Sequence, residues 1–369
     1  MKKLLLVSKE WSPKDKTGLG FCSTLHEQIF KNIGFHVTTV SSNNEDKNYN
    51  LKIKNFVNFL FNFLYFFKKS NLIIKECKPD FVVAESLQTI ISEIFIYLAK
   101  KNNIKVVIIS HGISIFPYNK KIKYILRTII WILYMPFLFF FLKSCDTFFS
   151  LDPNSNNSRH LDTKLFKIIN NKLIIKYNNS SRFEKIKKDF TITSHSQRKT
   201  ILCIGYINHI KNQEDLIKLA ESICDLDIDI KLLYNSFDKN YFNKLKNYII
   251  FKSLRNVYLI NEKDTDIFSE IANCWFLINV SITEVSPLSL IEGNSLSKFF
   301  LSYNVGSLDK FKGSIVHYNL EQVIFNIKSL YNNNFFSKKL EREALNDYND
   351  NYCVQNLQKS LSQIKNMII

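Results

Sequence analysis

The stretch Val280-Ser-Ile-Thr-Glu284-Val-Ser286-Pro287-Leu288-Ser-Leu-Ile-Glu292-Gly-Asn-Ser-Leu-Ser-Lys-Phe299-Phe-Leu-Ser302-Tyr-Asn-Val-Gly306 decides how the chain is read. The apolar run Cys274 to Val280 predicts a buried strand, and Phe299 to Ser302 predicts another. Between them Ser286 is a good N-cap and Pro287 a good first helical residue, so a helix is expected to start there. A helix that begins just after a parallel strand points free amides and the positive end of its dipole at the loop, which suits a phosphate. Glu284 lies in that loop. Glu292 lies in the second turn, about 7–8 Å along the axis from Pro287 at the usual rise per residue, with its side chain tilted back toward the N-terminus. One end of a nucleotide can then meet Glu292, its phosphates the amides, and its other end Glu284. A plain strand–loop–helix unit with two solvated acids fits the same residues, so the surroundings must decide.

Working outward, the stretch closes a regular alternation. Strands are expected at Thr200–Gly205, Ile228–Tyr234 and Val257–Ile260, with helices at Asn212–Cys224, Lys239–Lys252 and Asp264–Ala272 between them. Helices are also expected at Leu320–Tyr331 and Gln355–Met367, with 335–348 helix or loop. A similar series runs through the first half. Strands are expected at Lys3–Ser8, Phe35–Val40, Phe81–Ala84, Lys105–Ser110, Cys145–Leu151 and Leu173–Lys176. Helices are expected at Gly20–Asn32, 51–69 (with Asn55, Asn58 and Asn62 on one side), Leu87–Lys101 and Lys120–Lys143, while 42–50 and 153–170 read as polar loops. The polar run 177–198 separates the two series. At 369 residues two domains are the default. The chain is therefore expected to be α/β, with two doubly wound sheets facing a cleft that would be the ligand site. The expected boundaries are 1–176 and 177–350, with a C-terminal helix in 351–369 crossing back to the first domain.

Composition narrows the partners. The net charge of +17 is uneven: residues 1–176 carry 26 Lys and Arg against 12 Asp and Glu, and the remainder 24 against 21. Enrichment in Lys, Asn and Ile, with only six Arg, would affect both halves alike, so the basic first half calls for an anionic partner such as a membrane surface or a phosphorylated acceptor. Scarce arginine argues against nucleic acid. The segment Tyr118–Lys143 carries five basic and no acidic residues around an apolar core, Ile129–Leu142, that is short for a bilayer crossing and suits a buried or interfacial helix. Seven scattered cysteines without a CxxC pair read as reduced core thiols in a cytoplasmic protein. Only eight glycines are present, and most fall at turns after strands: Gly18, Gly20, Gly112, Gly205 and Gly306.

Taken together these residues resemble the retaining glycosyltransferases of GT-B fold, in the group 1 (family 4) class, over nearly the whole chain. Glu284 to Glu292 matches the family's E-x7-E motif. The opening strand with Thr17-Gly18-Leu19-Gly20, the Ser110-His111-Gly112 loop, and Leu202 to Lys211 resemble other family landmarks. The resemblance implies a nucleotide-diphosphate sugar in the second domain and an acceptor in the first. It implies that Glu292 bonds the ribose and that Glu284 meets the donor sugar near the reacting carbon. Lys211 would neutralise the pyrophosphate. Backbone amides around Ser286 to Leu288, a turn that places Pro287 among the donor-binding residues, and those at Gly18 and Gly20, would line the donor, and His111 would stand by the anomeric centre. It implies no cofactor and no metal; Asp227-Ile228-Asp229 has D-x-D spacing but is read as structural. Glu10 and Glu85, each after a first-domain strand, are candidates for acceptor contact, with a solvated loop acid as the plainer alternative. His26 and His209 are read as structural. The chain departs from the family where Tyr206 replaces the usual arginine after Gly205, removing a phosphate fork, and where Val285-Ser286 replaces a glycine–aromatic pair.

The expected function is transfer of a sugar to a membrane-associated glycan or lipid-linked acceptor in bacterial surface polysaccharide synthesis, lipopolysaccharide included, by a cytoplasmic enzyme peripheral to the inner face of the membrane. A nucleotide-sugar epimerase and a non-catalytic GT-B scaffold are the alternatives.

Overall fold

A computed structural model describes residues 1–12, 17–42, 44–52, 62–113, 122–154, 161–170, 172–183 and 198–368. The chain divides into two compact units, Met1–Asn178 with Leu357–Ile369, and Asn179–Asn356.

In the first unit the strands are β1 (Lys3–Ser8), β2 (His36–Ser41), β3 (Tyr49–Asn50), β4 (Phe81–Glu85), β5 (Lys105–Ser110), β6 (Thr147–Ser150) and β7 (Ile174–Lys176). The helices are α1 (Gly18–Asn32), α2 (Phe63–Cys77), α3 (Ile91–Lys101), α4 (Ile122–Ser144) and α5 (Leu161–Ile169). The strands form one parallel sheet in the order β3-β2-β1-β4-β5-β6-β7. Central strands such as Leu4–Val7 and Val106–Ile109 are apolar throughout and buried, because helices cover both faces of a parallel sheet.

The second unit repeats the plan. Its strands are β8 (Lys199–Ile204), β9 (Ile228–Tyr234), β10 (Val257–Asn261), β11 (Phe276–Asn279), β12 (Phe300–Tyr303) and β13 (Ser314–His317). Its helices are α6 (Gln213–Ser222), α7 (Lys239–Phe251), α8 (Ile267–Asn273), α9 (Leu288–Ser295), α10 (Leu320–Tyr331) and α11 (Asn334–Asp347); α12 (Val354–Ser362) follows and belongs from Leu357 onward to the first unit. The sheet is parallel in the order β10-β9-β8-β11-β12-β13. Each sheet thus reverses strand order once, between β1 and β4 and between β8 and β11. Such a switch point leaves a crevice beyond the carboxyl ends of the strands.

Several local expectations change. Helix α9 starts at Leu288, with Pro287 as its N-cap in extended conformation, so Ser286 does not cap it. Helix α1 starts at Gly18 with Thr17 as cap, two residues before the expected start. The expected polar loop 153–170 contains α5, whose Leu165 and Phe166 are buried while Ile168 is exposed. Residues 53–61 of the expected aromatic helix, 118–121, and 184–197 of the linker lie outside the described residues. All seven cysteines are free thiols.

Candidate functional site

In the second unit two loops flank the switch point. The loop after β8 carries Lys211, whose backbone N–H and that of Ile210 both donate to Asn208 Oδ1 at 2.9 Å, a turn that fixes where the side chain leaves. The loop after β11 carries Glu284. The two are tied by Ile282 N–H donating to the Ile210 carbonyl at 2.8 Å. Lys211 Nζ is ion-paired to the Glu284 carboxylate. The Glu284 loop rests on the turn after β12. Gly306 has φ +64°, and a Cβ there would stand 2.7 Å from the carbonyl oxygens of Glu284 and Val285, so only glycine fits. Ser307 Oγ donates to the Val285 carbonyl at 3.2 Å.

Helix α9 packs hard on β11, because any Cβ at Gly293 would collide with the Leu277 side chain. Glu292, one residue earlier, is 2% exposed. Burial raises its carboxyl pKa, and Arg182 opposes that rise. Arg182 meets the carboxylate with a fork, Nε to Oε1 at 2.7 Å and Nη2 to Oε2 at 3.1 Å. The segment bearing Arg182 is held by Ser295 Oγ donating to Ser181 Oγ at 2.9 Å and by Phe183 packing edge-on to Phe268. The sequence did not single out Arg182. The available signal was an arginine, rare in this lysine-rich chain, beside an aromatic just before the second α/β series. At position 206, where the family's arginine would stand, Tyr206 is exposed, and its carbonyl accepts from Gln213 Nε2 at 2.9 Å. Asp227 and Asp229 are ion-paired with Arg198.

In the first unit the corresponding residues gather beyond β1, β4 and β5. Glu10 accepts from Thr17 Oγ1 at 2.5 Å, and Thr17 Oγ1 accepts from the Gly20 amide at 3.0 Å. The Gly20 amide is therefore engaged by the helix cap, and Gly18 is the first helical residue.

Glu85 ends β4 and is fully buried, which corrects its reading as an open acceptor contact. Its Oε1 lies 2.7 Å from His26 Nδ1 and its Oε2 2.8 Å from His111 Nε2. Burial acts to raise the Glu85 pKa, but the two histidines outweigh it and hold the carboxyl at about 2. Ser86, Gln88 and Ile90, which follow Glu85, all have positive φ, a strained path that is rare for a β-branched residue.

Next to His111, Ser110 Oγ donates to Asp162 Oδ2 at 2.5 Å and accepts from the Gly112 amide at 3.0 Å. Burial pushes the Asp162 carboxyl up to about 6. Tyr177 donates to the Ser110 carbonyl at 2.8 Å.

Among the described residues, His26, Glu85 and His111 are the group of three metal-ligating side chains close enough to share an ion, with ligand atoms within 4.8 Å of one another. Each carboxylate oxygen already has its own imidazole, and buried His26 Nε2 lacks a partner among the described residues, whereas a metal-bound imidazole ordinarily donates its other N–H. The donor set fits a hydrogen-bonded cluster.

Residues 184–341 match the model of the family described as Glycosyl transferases group 1. The second unit belongs to the group 1 glycosyl transferases. No curated protein matches the chain by sequence. Over its full length the chain is similar in structure to sucrose-phosphate synthase from Thermosynechococcus elongatus (10% identity, TM-score 0.75, 99% of that chain covered). It is similar to a glycosyltransferase from Rickettsia africae (19%, 0.73, 98%) and to HepE from Anabaena in complex with UDP-glucose (11%, 0.72, 100%), again with all of this chain covered. The fold is GT-B, and with a group 1 unit the chain is a glycosyltransferase. The E-x7-E motif of that unit, Glu284 to Glu292, accordingly spans the loop and first turns beside its switch point.

Proposed function

We propose that this glycosyltransferase moves a sugar from a nucleotide-diphosphate sugar, with retention, to a membrane-associated glycan or lipid-linked acceptor in bacterial surface polysaccharide synthesis. The observation that carries the donor half is the pair of acids around the start of α9, Glu284 joined to Lys211 and Glu292 buried at the start of its second turn. Glu292 accepts from ribose hydroxyls, since a carboxylate has room for further donors beside Arg182. Lys211 leaves Glu284 for the diphosphate, and the amides at Ser286 and Leu288 complete the phosphate cradle around Pro287, which has no N–H. Glu284 then turns to the donor sugar. The bond from the anomeric carbon to the diphosphate breaks as the bond to the acceptor oxygen forms on the same face, and a diphosphate oxygen takes the acceptor's proton. Catalysis lies in stabilising the leaving charge. HepE, seen with UDP-glucose, supports a nucleotide-sugar donor.

The acceptor half rests on the first unit. The rings of Phe67, Tyr97 and Phe140 join α2, α3 and α4 into one apolar face, at 5.7 and 6.2 Å. Leu64 and Leu72 on α2 and Leu133 and Phe137 on α4 are exposed. These helices carry eight Lys and Arg and two acids, Glu76 and Glu93, which are bonded to Tyr49 and Tyr134. No helix among the described residues is long and apolar enough to cross a membrane. A basic apolar face of this kind suits peripheral contact with the anionic inner leaflet.

Three measurements test the proposal. One or more members of a nucleotide-sugar panel should raise the melting point, and the product made with acceptor should keep the donor's anomeric configuration. A panel without a single binder would favour a non-catalytic scaffold, and turnover without acceptor an epimerase. In cosedimentation, vesicles of anionic lipid should retain the chain at low salt and release it when Leu133 and Phe137 are replaced by aspartate; absence of binding would sink the membrane part.

A further inference from the structure

We propose that Glu85 and His26 are positioning residues that fix the tautomer of His111, so that His111 meets a carbohydrate hydroxyl through Nδ1 as a hydrogen-bond acceptor. The inference rests on the reading of His111 as a sugar contact, which the family resemblance implies.

An ionised carboxylate can only accept. Each imidazole facing Glu85 must therefore carry its proton on the facing nitrogen, Nδ1 for His26 and Nε2 for His111. A neutral His111 then keeps a lone pair on Nδ1. The assignment agrees with His26, whose other nitrogen is buried without a partner among the described residues: an unmet lone pair is easier to bury than an unmet N–H.

The rings are also held in plane. His26 and His111 stack with centroids 6.0 Å apart, and Tyr177 meets both edge-on at 6.0 and 6.3 Å. The Tyr177 hydroxyl is itself anchored on the Ser110 carbonyl, beside His111 in the chain.

Within the cluster the side chains of His26 and Glu85 are fully buried and that of His111 is 14% exposed, so His111 is the member that reaches substrate. A nitrogen lone pair at that place recognises a hydroxyl, which donates, and repels a phosphate oxygen, which does not.

The test is Glu85→Gln. Glutamine offers one oxygen and one amide, so it satisfies one imidazole as acceptor and forces the other to accept. With the amide toward His111, Nδ1 gains the proton and the hydroxyl contact is lost. The expected result is a fall in kcat/KM of about 10²-fold, with nucleotide affinity of the second unit unchanged. Nitrogen NMR of the imidazoles should show His111 protonated at Nε2 in the parent chain. The KM that moves, the donor's or the acceptor's, tells whose hydroxyl is bound. His26→Asn, which keeps an N–H toward Glu85, should retain more activity than His26→Leu. Parent-like kcat/KM in a Glu85→Gln chain whose His111 proton is seen by NMR to have moved to Nδ1, an Nδ1 proton on His111 in the parent, or one equivalent of zinc in the purified chain would each overturn the inference. Should Glu85→Gln not fold, the NMR of the parent decides alone. A parent chain that transfers no sugar is a failure of the proposed function, and the tautomer is still read by NMR.

Discussion

Replacing Arg182 by alanine should destabilise the second unit by about 3 kcal/mol, because it strands a buried carboxylate. Glu292 sits behind α9 with its charge matched by the Arg182 fork, and Arg182 itself is partly open to solvent, which sets the expected loss at the lower end for a broken buried pair. Pairing the change with Glu292→Leu should recover most of the stability, since an apolar pair needs no counter-charge.

The pH dependence has a definite sign. The Glu292 pKa is raised in the folded chain, so the folded state binds the proton more tightly than the unfolded state and this group's contribution falls as pH rises above the ordinary value of 4.5. Removing Arg182 raises the pKa further, so the penalty of Arg182→Ala should be largest near neutral pH and shrink as pH falls toward that value. Thermal midpoints across this range check it. A penalty that grows on acidification would show that Glu292 is not the stranded group. The double variant should regain stability but not nucleotide affinity, which separates the structural and ligand-binding parts of Glu292.

Lys211→Met should lower kcat by about 10²–10³-fold, the usual loss when a preorganised group facing developing charge is removed. The effect should be large because Tyr206 supplies no guanidinium at the neighbouring position. Lys211→Arg should not restore the rate, since a planar fork does not replace a compact ammonium. Glu284→Gln gives the contrast. It frees Lys211 from its ion pair, so nucleoside diphosphate should bind somewhat more tightly while transfer slows. Single-turnover kinetics with calorimetry measure both. Unchanged kcat in Lys211→Met would remove Lys211 from the catalytic proposal.

The fold was legible because both sheets are parallel and buried on both faces. Their strands are short apolar runs at regular spacing, and Val106–Ile109 or Phe276–Asn279 need no other signal. Glu284, Glu292 and Lys211 were legible because their spacing from a strand end and a helix start is local. Helix starts were read less well. Pro287 has a φ suited to a first turn but stands in extended conformation, and Thr17, not the following glycines, opens α1. What the sequence hid were pairings between distant segments. Arg182 meets Glu292 across 110 positions, His26 meets Glu85 across 59, and Ser110 meets Asp162 across 52. No periodicity encodes such partners. Asp162 was hidden twice, since its helix lies in a stretch whose solvent side is polar enough to read as loop.

The return of Leu357–Ile369 to the first unit bears on how the protein is made. Leu357, Leu361 and Ile364 are buried, yet they leave the ribosome only after every residue of the second unit. The second unit can complete itself during synthesis, whereas the first must wait with part of its apolar surface uncovered. A stop codon near position 356 would therefore harm the unit that was translated first.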